Sequence, residues 1–271
     1  MKIPCRERQR HIAYHDVHVP HNIDFGPVLE FQKKYNPTHI IINGDFINLE
    51  WASHWNEPIF SQMGWDNVRE NLGRELEAAR TLIGRIRAAS PKARFLFVPG
   101  NHEHWLYYAA MYYPRIGIPW PTNKEVKKVG FKTDLAKQAD SVLAFILKRV
   151  LHAQKYRMEV LNYNEHLEIG KITYIHGHQL TGYKNTISKY PNKNIVFGHF
   201  HTEHRETGNN GGDTSRVIQH THVPCMTGLA PGYLKDKSTR WLNGFYIADV
   251  LPNGLFDGRV KKILGGKVMV P

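Results

Sequence analysis

Asn101, His102, Glu103 and His104 follow one another directly after Gly100. An amide, two imidazoles and a carboxylate in a row can ligate a metal or move a proton. The residues before them are of another kind. RFLFVP at 94–99 is a nearly unbroken apolar run, which reads as a strand buried on both faces. Four more runs end the same way. HIAY (11–14) leads to Asp16-Val17-His18, and THIIIN (38–43) to Gly44-Asp45. KITYI (171–175) leads to His176-Gly177-His178, and NIVF (194–197) to Gly198-His199-Phe200-His201. In an α/β sheet the carboxyl ends of parallel strands face one crevice, where ligands bind. Five strands that end in potential ligands therefore describe one site.

The spacings suit that site. In Asp16-x-His18 and His199-x-His201, alternate residues of extended chain point the same way, so each pair can face one metal. Gly44, Gly100 and Gly198 let the backbone turn sharply and approach closely. Imidazole, carboxylate and amide oxygen without thiolate suit Mn²⁺, Fe or Zn²⁺ better than a structural zinc site or Ca²⁺.

Helices must lie between the strands. Val68, Leu72, Leu76, Ala79, Leu82, Ile83 and Ile86 share one face over 66–89, with Asp66 as N-cap and Ser90-Pro91 as the stop. Strand, helix, strand here indicates a parallel crossover. Leu135, Ala139, Val142, Ile146 and Val150 predict a second helix over 134–152, with Thr133 as its cap. Between them, about 105–131 is aromatic-rich and broken by Pro114, Pro119 and Pro121; it reads as an irregular insertion placed to act as a lid. Beyond 200 the pattern turns to strands. TGNNGGDTS (207–215) reads as a turn, and GFYIADV (244–250) and GRVKKIL (258–264) as strands. One α/β domain over 1–271, with mixed sheets, accounts for all of this.

The order D-x-H, G-D, G-N-H-E, H-G-H, G-H-x-H over residues 16 to 201 resembles the calcineurin-like metallophosphoesterase family. The resemblance implies an α/β sandwich of two mixed β-sheets between helices, in four layers. It implies two divalent metal ions, with manganese first and iron, zinc, nickel or cobalt as alternatives. Asp16, His18 and His201 would hold one ion, Asn101, His176 and His199 the other, and Asp45 would bridge them. His102 would be the general acid for the leaving group. The reaction implied is hydrolysis of a phosphodiester by a metal-bridging hydroxide. A phosphomonoesterase, a nuclease acting on DNA or RNA, and a non-catalytic scaffold are the alternatives, the scaffold disfavoured because every ligand position is filled. Two divalent cations against two carboxylates and a hydroxide leave about +1 for the substrate anion.

The remaining polar residues take lesser parts. Glu103 is expected to orient a neighbour or cap a helix, His104 to be solvated, and His178 to support a ligand imidazole. His220-x-His222 lacks the preceding glycine and could line the cleft. Trp105, Tyr107, Tyr108, Tyr112, Tyr113 and Trp120 could stack on bases, but core beneath the insertion is the preferred reading. Lys184, Arg205 and Arg240 are candidate phosphate contacts by charge alone. His11, His15, His21, His39, His54, His152, His166 and His204 read as surface or core residues.

Composition sets the outer bounds. The 271 residues carry 36 Lys plus Arg against 24 Asp plus Glu, a net charge of +12. That favours an anionic partner: a phosphoester substrate, a nucleotide or a nucleic acid. No apolar stretch approaches the ~20 residues of a membrane span, and MKIPCRERQRH lacks the apolar core of a signal peptide. A cytoplasmic protein with no membrane partner is expected, with Cys5 and Cys225 as free thiols. Nothing in the sequence sets an oligomeric state.

Overall fold

The computed structural model describes residues 1–53, 64–112, 114–122, 125, 135–210, 213–229 and 239–269. Thr133, His54, Tyr113, residues 126–131 and the Gly-Gly of the 207–215 segment lie outside this set.

Three isoleucines show how the layers arise. In β3 (His39–Asn43), Ile40 and Ile42 point into a core shared with helices, while Ile41 points into a core shared with a second sheet. Its neighbours alternate identically. Ile12 and Tyr14 of β2 (Gln9–Tyr14) and Phe95 and Phe97 of β4 (Arg94–Val98) face the helices. Ala13, Leu96 and Val98 face the other sheet. The unbroken apolar runs follow from this, because both faces of each strand are covered.

β2, β3, β4 and β5 (Met158–Val160) pair in parallel. β11 (Gly244–Val250), β12 (Phe256–Leu264) and β13 (Lys267–Val268) extend that sheet antiparallel to seven strands, in the order β13-β12-β11-β2-β3-β4-β5. The second sheet has six strands. These are β1 (Lys2–Ile3), β6 (Leu167–Ile169), β7 (Ile172–Tyr174), β8 (Asn194–Phe197), β9 (His204–Asn210) and β10 (Asp213–His222), ordered β1-β6-β7-β8-β10-β9. It too is mixed, with β7, β8 and β10 parallel. Asn43, at the end of β3, ties the sheets together: its amide donates to the carbonyl of Ile175 at 2.8 Å and, more weakly, to that of Val196 at 3.4 Å.

The helices α1 (Gly26–Tyr35), α2 (Trp65–Ala89), α3 (Asn101–Tyr112) and α4 (Leu135–Val150) cover the outer face of the seven-stranded sheet. The opposite outer face carries only α5 (Thr186–Lys189) among the described residues, over a small cluster of Ile175, Leu180, Ile195 and Phe197. The fold is thus α/β, with two mixed sheets and flanking helices, and one helical layer is thin. No helix among the described residues is long and apolar enough to cross a membrane. Both cysteines are free.

Three local expectations are corrected. Gly64, not Asp66, caps α2, without a side-chain bond; Asp66 lies in the first turn, where its charge faces the positive end of the helix dipole. The first part of the 105–131 insertion is helical, because no proline or glycine falls between 101 and 112 and Leu106, Ala109 and Ala110 bury one face. Most of the 207–215 segment is strand: β9 runs to Asn210 and β10 starts at Asp213, so cross-strand pairing overrides the turn propensity of Asn and Gly.

α2 also reaches the loop after β3. Glu75 is buried and its carboxylate accepts the Leu49 N–H at 2.7 Å. Burial pushes this carboxyl up to about 7. A carboxyl whose folded pKa is raised binds more protons folded than unfolded, so its contribution falls as pH rises from about 4.5 to about 7. Glu75→Gln should therefore gain melting temperature relative to the wild type as pH is raised from 5 to 8; a constant difference across thermal melts would contradict this placement.

Candidate metal centre

Each potential ligand lies just beyond a strand end. Asp16 and His18 follow β2, Asp45 follows β3, Asn101 opens α3 after β4, His176 follows β7, and His199 and His201 follow β8. Backbone bonds lock these turns together: Asp16 donates to the Gly44 carbonyl at 3.2 Å, His18 to that of Asp45 at 3.0 Å, and Gly198 to that of His176 at 2.9 Å. Donor atoms then converge in groups within 4.8 Å of one another. Asp16, His18 and His201 form one group, Asp45, His176 and His199 a second, and His18, Asp45 and His102 a third that joins them. Asn101 belongs with the second, its Oδ1 3.0 Å from His176 Nε2. All eight residues named from the sequence are thus in one cluster, with Asp45 central.

The cluster asks for positive charge. Asp16 is wholly buried and Asp45 is 2% exposed. Burial works against both charges, yet hydrogen bonding and charge from His201 keep Asp16 well below the usual carboxylate range. His176 and His102 do the same for Asp45. His176, buried and 3.1 Å from Asp45 Oδ2, is raised to about 9 because Asp45, Asp16 and Glu103 outweigh its desolvation. Two other imidazoles of the cluster are held neutral. His18 is pushed well below its ordinary value by burial and by His102 and His201, and His199 to about 4 by burial and by His176. His18 and His201 set their Nε2 atoms 3.2 Å apart, and His201 Nε2 is 3.6 Å from Asp16 Oδ1. Carboxylates, imidazoles and an amide oxygen around a buried point fit a hard to borderline divalent cation.

The backbone is strained to hold this geometry. Asp16 (φ 49°), His18 (49°), Asp45 (48°), His199 (75°) and His201 (57°) all sit in the left-handed region. Each such residue costs on the order of 1–3 kcal/mol, and such costs persist where surroundings fix them. Three glycines are required by space, and a Cβ at Gly44 would overlap the His176 ring. A Cβ at Gly100 would overlap Asp45 Oδ1, and one at Gly198 would overlap Asp16 Oδ2.

Glu103 is the buried support beneath Asp45. Its carboxylate accepts four backbone N–H groups, from Asp45 (3.0 Å), Phe46 (2.8 Å), Ile47 (3.0 Å) and Gly100 (2.8 Å). The bond back to Gly100 also caps the start of α3. His102 is oriented at both ends. Its N–H donates to Asp45 Oδ1 at 2.9 Å, and its ring Nδ1 is committed to the Asn48 carbonyl. Its Nε2 lies 3.8 Å from Asp45 Oδ2, and the side chain keeps 15% exposure. Sequence reasoning gave no role to Asn43 or Asn48. Asn43 had a signal, as the one amide ending an apolar run; Asn48 acts through its carbonyl and had none.

Other residues separate from the cluster. His104 is not solvated: it stacks on Tyr163 with ring centroids at 4.2 Å, and burial lowers it to about 4. Tyr163 continues that stack to His178, 5.0 Å away, which in turn lies 5.7 Å from His176. His220 is taken up by Thr186 and the Lys193 carbonyl. His222 accepts the Phe200 N–H at 3.3 Å, holding the ligand loop from below. Arg205 donates to the Gly258 carbonyl at 2.7 Å. The aromatic segment divides: Trp105 and Tyr107 pack on the core, whereas Tyr108 and Trp120 are exposed.

No family model and no curated protein matches the chain. Among solved structures it is similar to a single mutant of Vps29 from Entamoeba histolytica, at 14% identity and TM-score 0.46 over 96% of each chain. The wild-type Vps29 of that organism, complexed with Zn²⁺, is similar at 13% identity and TM-score 0.43, again over 96% of each. Vps29 from Chaetomium thermophilum is similar at 10% identity and TM-score 0.38, over 94% of this chain and 97% of that one. A likeness this distant says nothing about which residues act or on what.

Two substitutions test the supports. In Glu103→Gln, an amide NH₂ must face backbone N–H groups, leaving buried donors unpaired; urea denaturation should show a loss of about 1–3 kcal/mol. Gly198→Ala should weaken Mn²⁺ binding in calorimetry by displacing Asp16. By contrast Gly73→Ala, in α2 with open space around it, should stabilise the chain by roughly 0.5–1 kcal/mol. Unchanged Mn²⁺ affinity in Gly198→Ala would contradict the packing.

Proposed function

We propose that the chain is a binuclear-metal phosphoesterase of the calcineurin-like kind, and that it hydrolyses phosphodiesters. The observation that carries this is the sharing of Asp45 between two groups of donors. Asp16, His18, Asp45 and His201 would hold one divalent ion, and Asp45, Asn101, His176 and His199 the other. Mn²⁺ is the first choice; Fe, Zn²⁺, Ni²⁺ and Co²⁺ also suit the donors. Such a pair supplies Lewis acidity and a water activated near neutral pH.

The chain's own residues do the rest. His18 and His199, held neutral, present lone pairs as ligands must. Glu103 fixes the turn that aims Asp45. His102 donates its Nδ1–H to the Asn48 carbonyl, which leaves Nε2 facing the site; a second proton taken up at Nε2 is the one the ring can pass on. From there it reaches the leaving alkoxide, an assistance worth roughly 10²–10⁴-fold. The preference for a diester rests on this acid, which a poor leaving group needs, and on the net charge of +12.

The test is a pair of substitutions on two substrates. With Mn²⁺ present, bis-p-nitrophenyl phosphate should be hydrolysed faster than p-nitrophenyl phosphate. His102→Ala should retain its metal and lose roughly 10²-fold or more in kcat, most severely with alkyl leaving groups. Asn101→Ala should lose metal from one site. Faster monoester turnover would make the chain a phosphomonoesterase, and full metal loading with no hydrolysis would make it a binding module.

A further inference from the structure

An aromatic wall stands on each side of the cluster. On the helix side, Tyr108 and Trp120 are each 42% exposed, and Tyr107 packs between them and the core with ring centroids 5.7 Å from both. On the other side, Phe200 falls between His199 and His201 in the chain, and its ring meets His199 at 4.9 Å and Tyr183 at 6.1 Å. Tyr183 is held rigid by stacking on His222, at 5.5 Å and 13°. These walls belong to opposite faces of the sandwich: Tyr107 joins the core under the helices, and Tyr183 and Phe200 the cluster outside the six-stranded sheet. The metal-ligating residues lie between.

Free cations accompany the second wall. Arg240 donates to the Tyr183 hydroxyl at 3.1 Å, and Lys184 Nζ lies 5.9 Å from the Tyr183 ring. Both are exposed, and neither meets a carboxylate among the described residues. A ligand that uses both walls must carry planar rings on either side of the scissile phosphate, with further negative charge beyond. A duplex keeps its rings stacked inside, out of reach of these platforms, whereas a single strand offers them.

We propose that the site takes a single-stranded polynucleotide, with bases stacked on Trp120 and Tyr108 on one side of the scissile phosphate and on Tyr183 on the other. Arg240 and Lys184 contact the phosphates next to the base on Tyr183. This rests on the phosphodiesterase reading for the same site and adds its substrate class.

The experiment is fluorescence anisotropy of the Mn²⁺-loaded full chain with a fluorescein-labelled oligothymidine of about ten residues, linked by phosphorothioates that resist cleavage. The single strand should bind at least roughly ten-fold tighter than a duplex of equal length. Trp120→Ala and Tyr183→Ala should each weaken binding by roughly five-fold or more, the effect of one lost base stack. Arg240→Ala should reduce the slope of log affinity against log salt by about 0.7. Circular dichroism melts of each variant establish that it is folded. Equal affinity for duplex and single strand, or folded variants that bind as the wild type does, would overturn the proposal. A wild type that hydrolyses bis-p-nitrophenyl phosphate but does not bind the oligonucleotide would overturn it and leave the phosphodiesterase reading standing. Tight single-strand binding without hydrolysis of bis-p-nitrophenyl phosphate would support the subsite and remove the phosphodiesterase reading.

Discussion

Two ionised carboxylates, Asp16 and Asp45, are buried where the two sheets meet. An isolated buried carboxylate is among the most costly groups a fold can hold, and it survives only with opposite charge and hydrogen-bond donors around it. The surroundings answer that demand in two ways. Backbone N–H groups of His199 and His102 point at the carboxylates, and imidazoles surround them. What these do not neutralise is the charge that raises His176 to about 9. A site that draws a proton so strongly is a site suited to cations.

That demand explains features otherwise unrelated. Gly100 and Gly198 are fixed because their Cα atoms face carboxylate oxygens at a distance that excludes a side chain. Five cluster residues tolerate left-handed backbone because each closes a turn from a buried strand, and the two cores on either side of β2, β3 and β4 keep the strand ends in place. Asn43 joins one sheet to the other beside the cluster, so the candidate ligands after β3 and those after β7 and β8 keep one register. The strain and the polar burial sit at one end of the strands, with the apolar layers as their counterweight.

Much of this was legible in the sequence because strand ends and ligands coincide. An apolar run followed by glycine and a polar residue announces both the strand and the turn that ends it at the cluster, and this held for β3, β4 and β8 alike. What was not legible depends on partners distant in the chain. The helix over 101–112 was hidden by the aromatic content of the segment and by the prolines after it; its burial is decided by packing on α4 and the core. His104 packs against Tyr107 and Tyr108 of its own helix, but its nearest stacking ring is Tyr163, 59 positions away, a contact that no local pattern carries. Asn48 holds His102 with a carbonyl, which every residue type possesses. Glu103 was readable as a cap from its spacing to Gly100, but its bonds to Asp45, Phe46 and Ile47 needed the fold.

The central claim is that Asp45 is shared between two metal ions. Electron paramagnetic resonance of the Mn²⁺-loaded chain, with metal content measured on the same sample, tests it most directly. Two ions per chain with an exchange-coupled spectrum, and loss of that coupling in Asp45→Asn, are predicted. One magnetically isolated Mn²⁺ per chain, or a coupled pair that persists in Asp45→Asn, would contradict it.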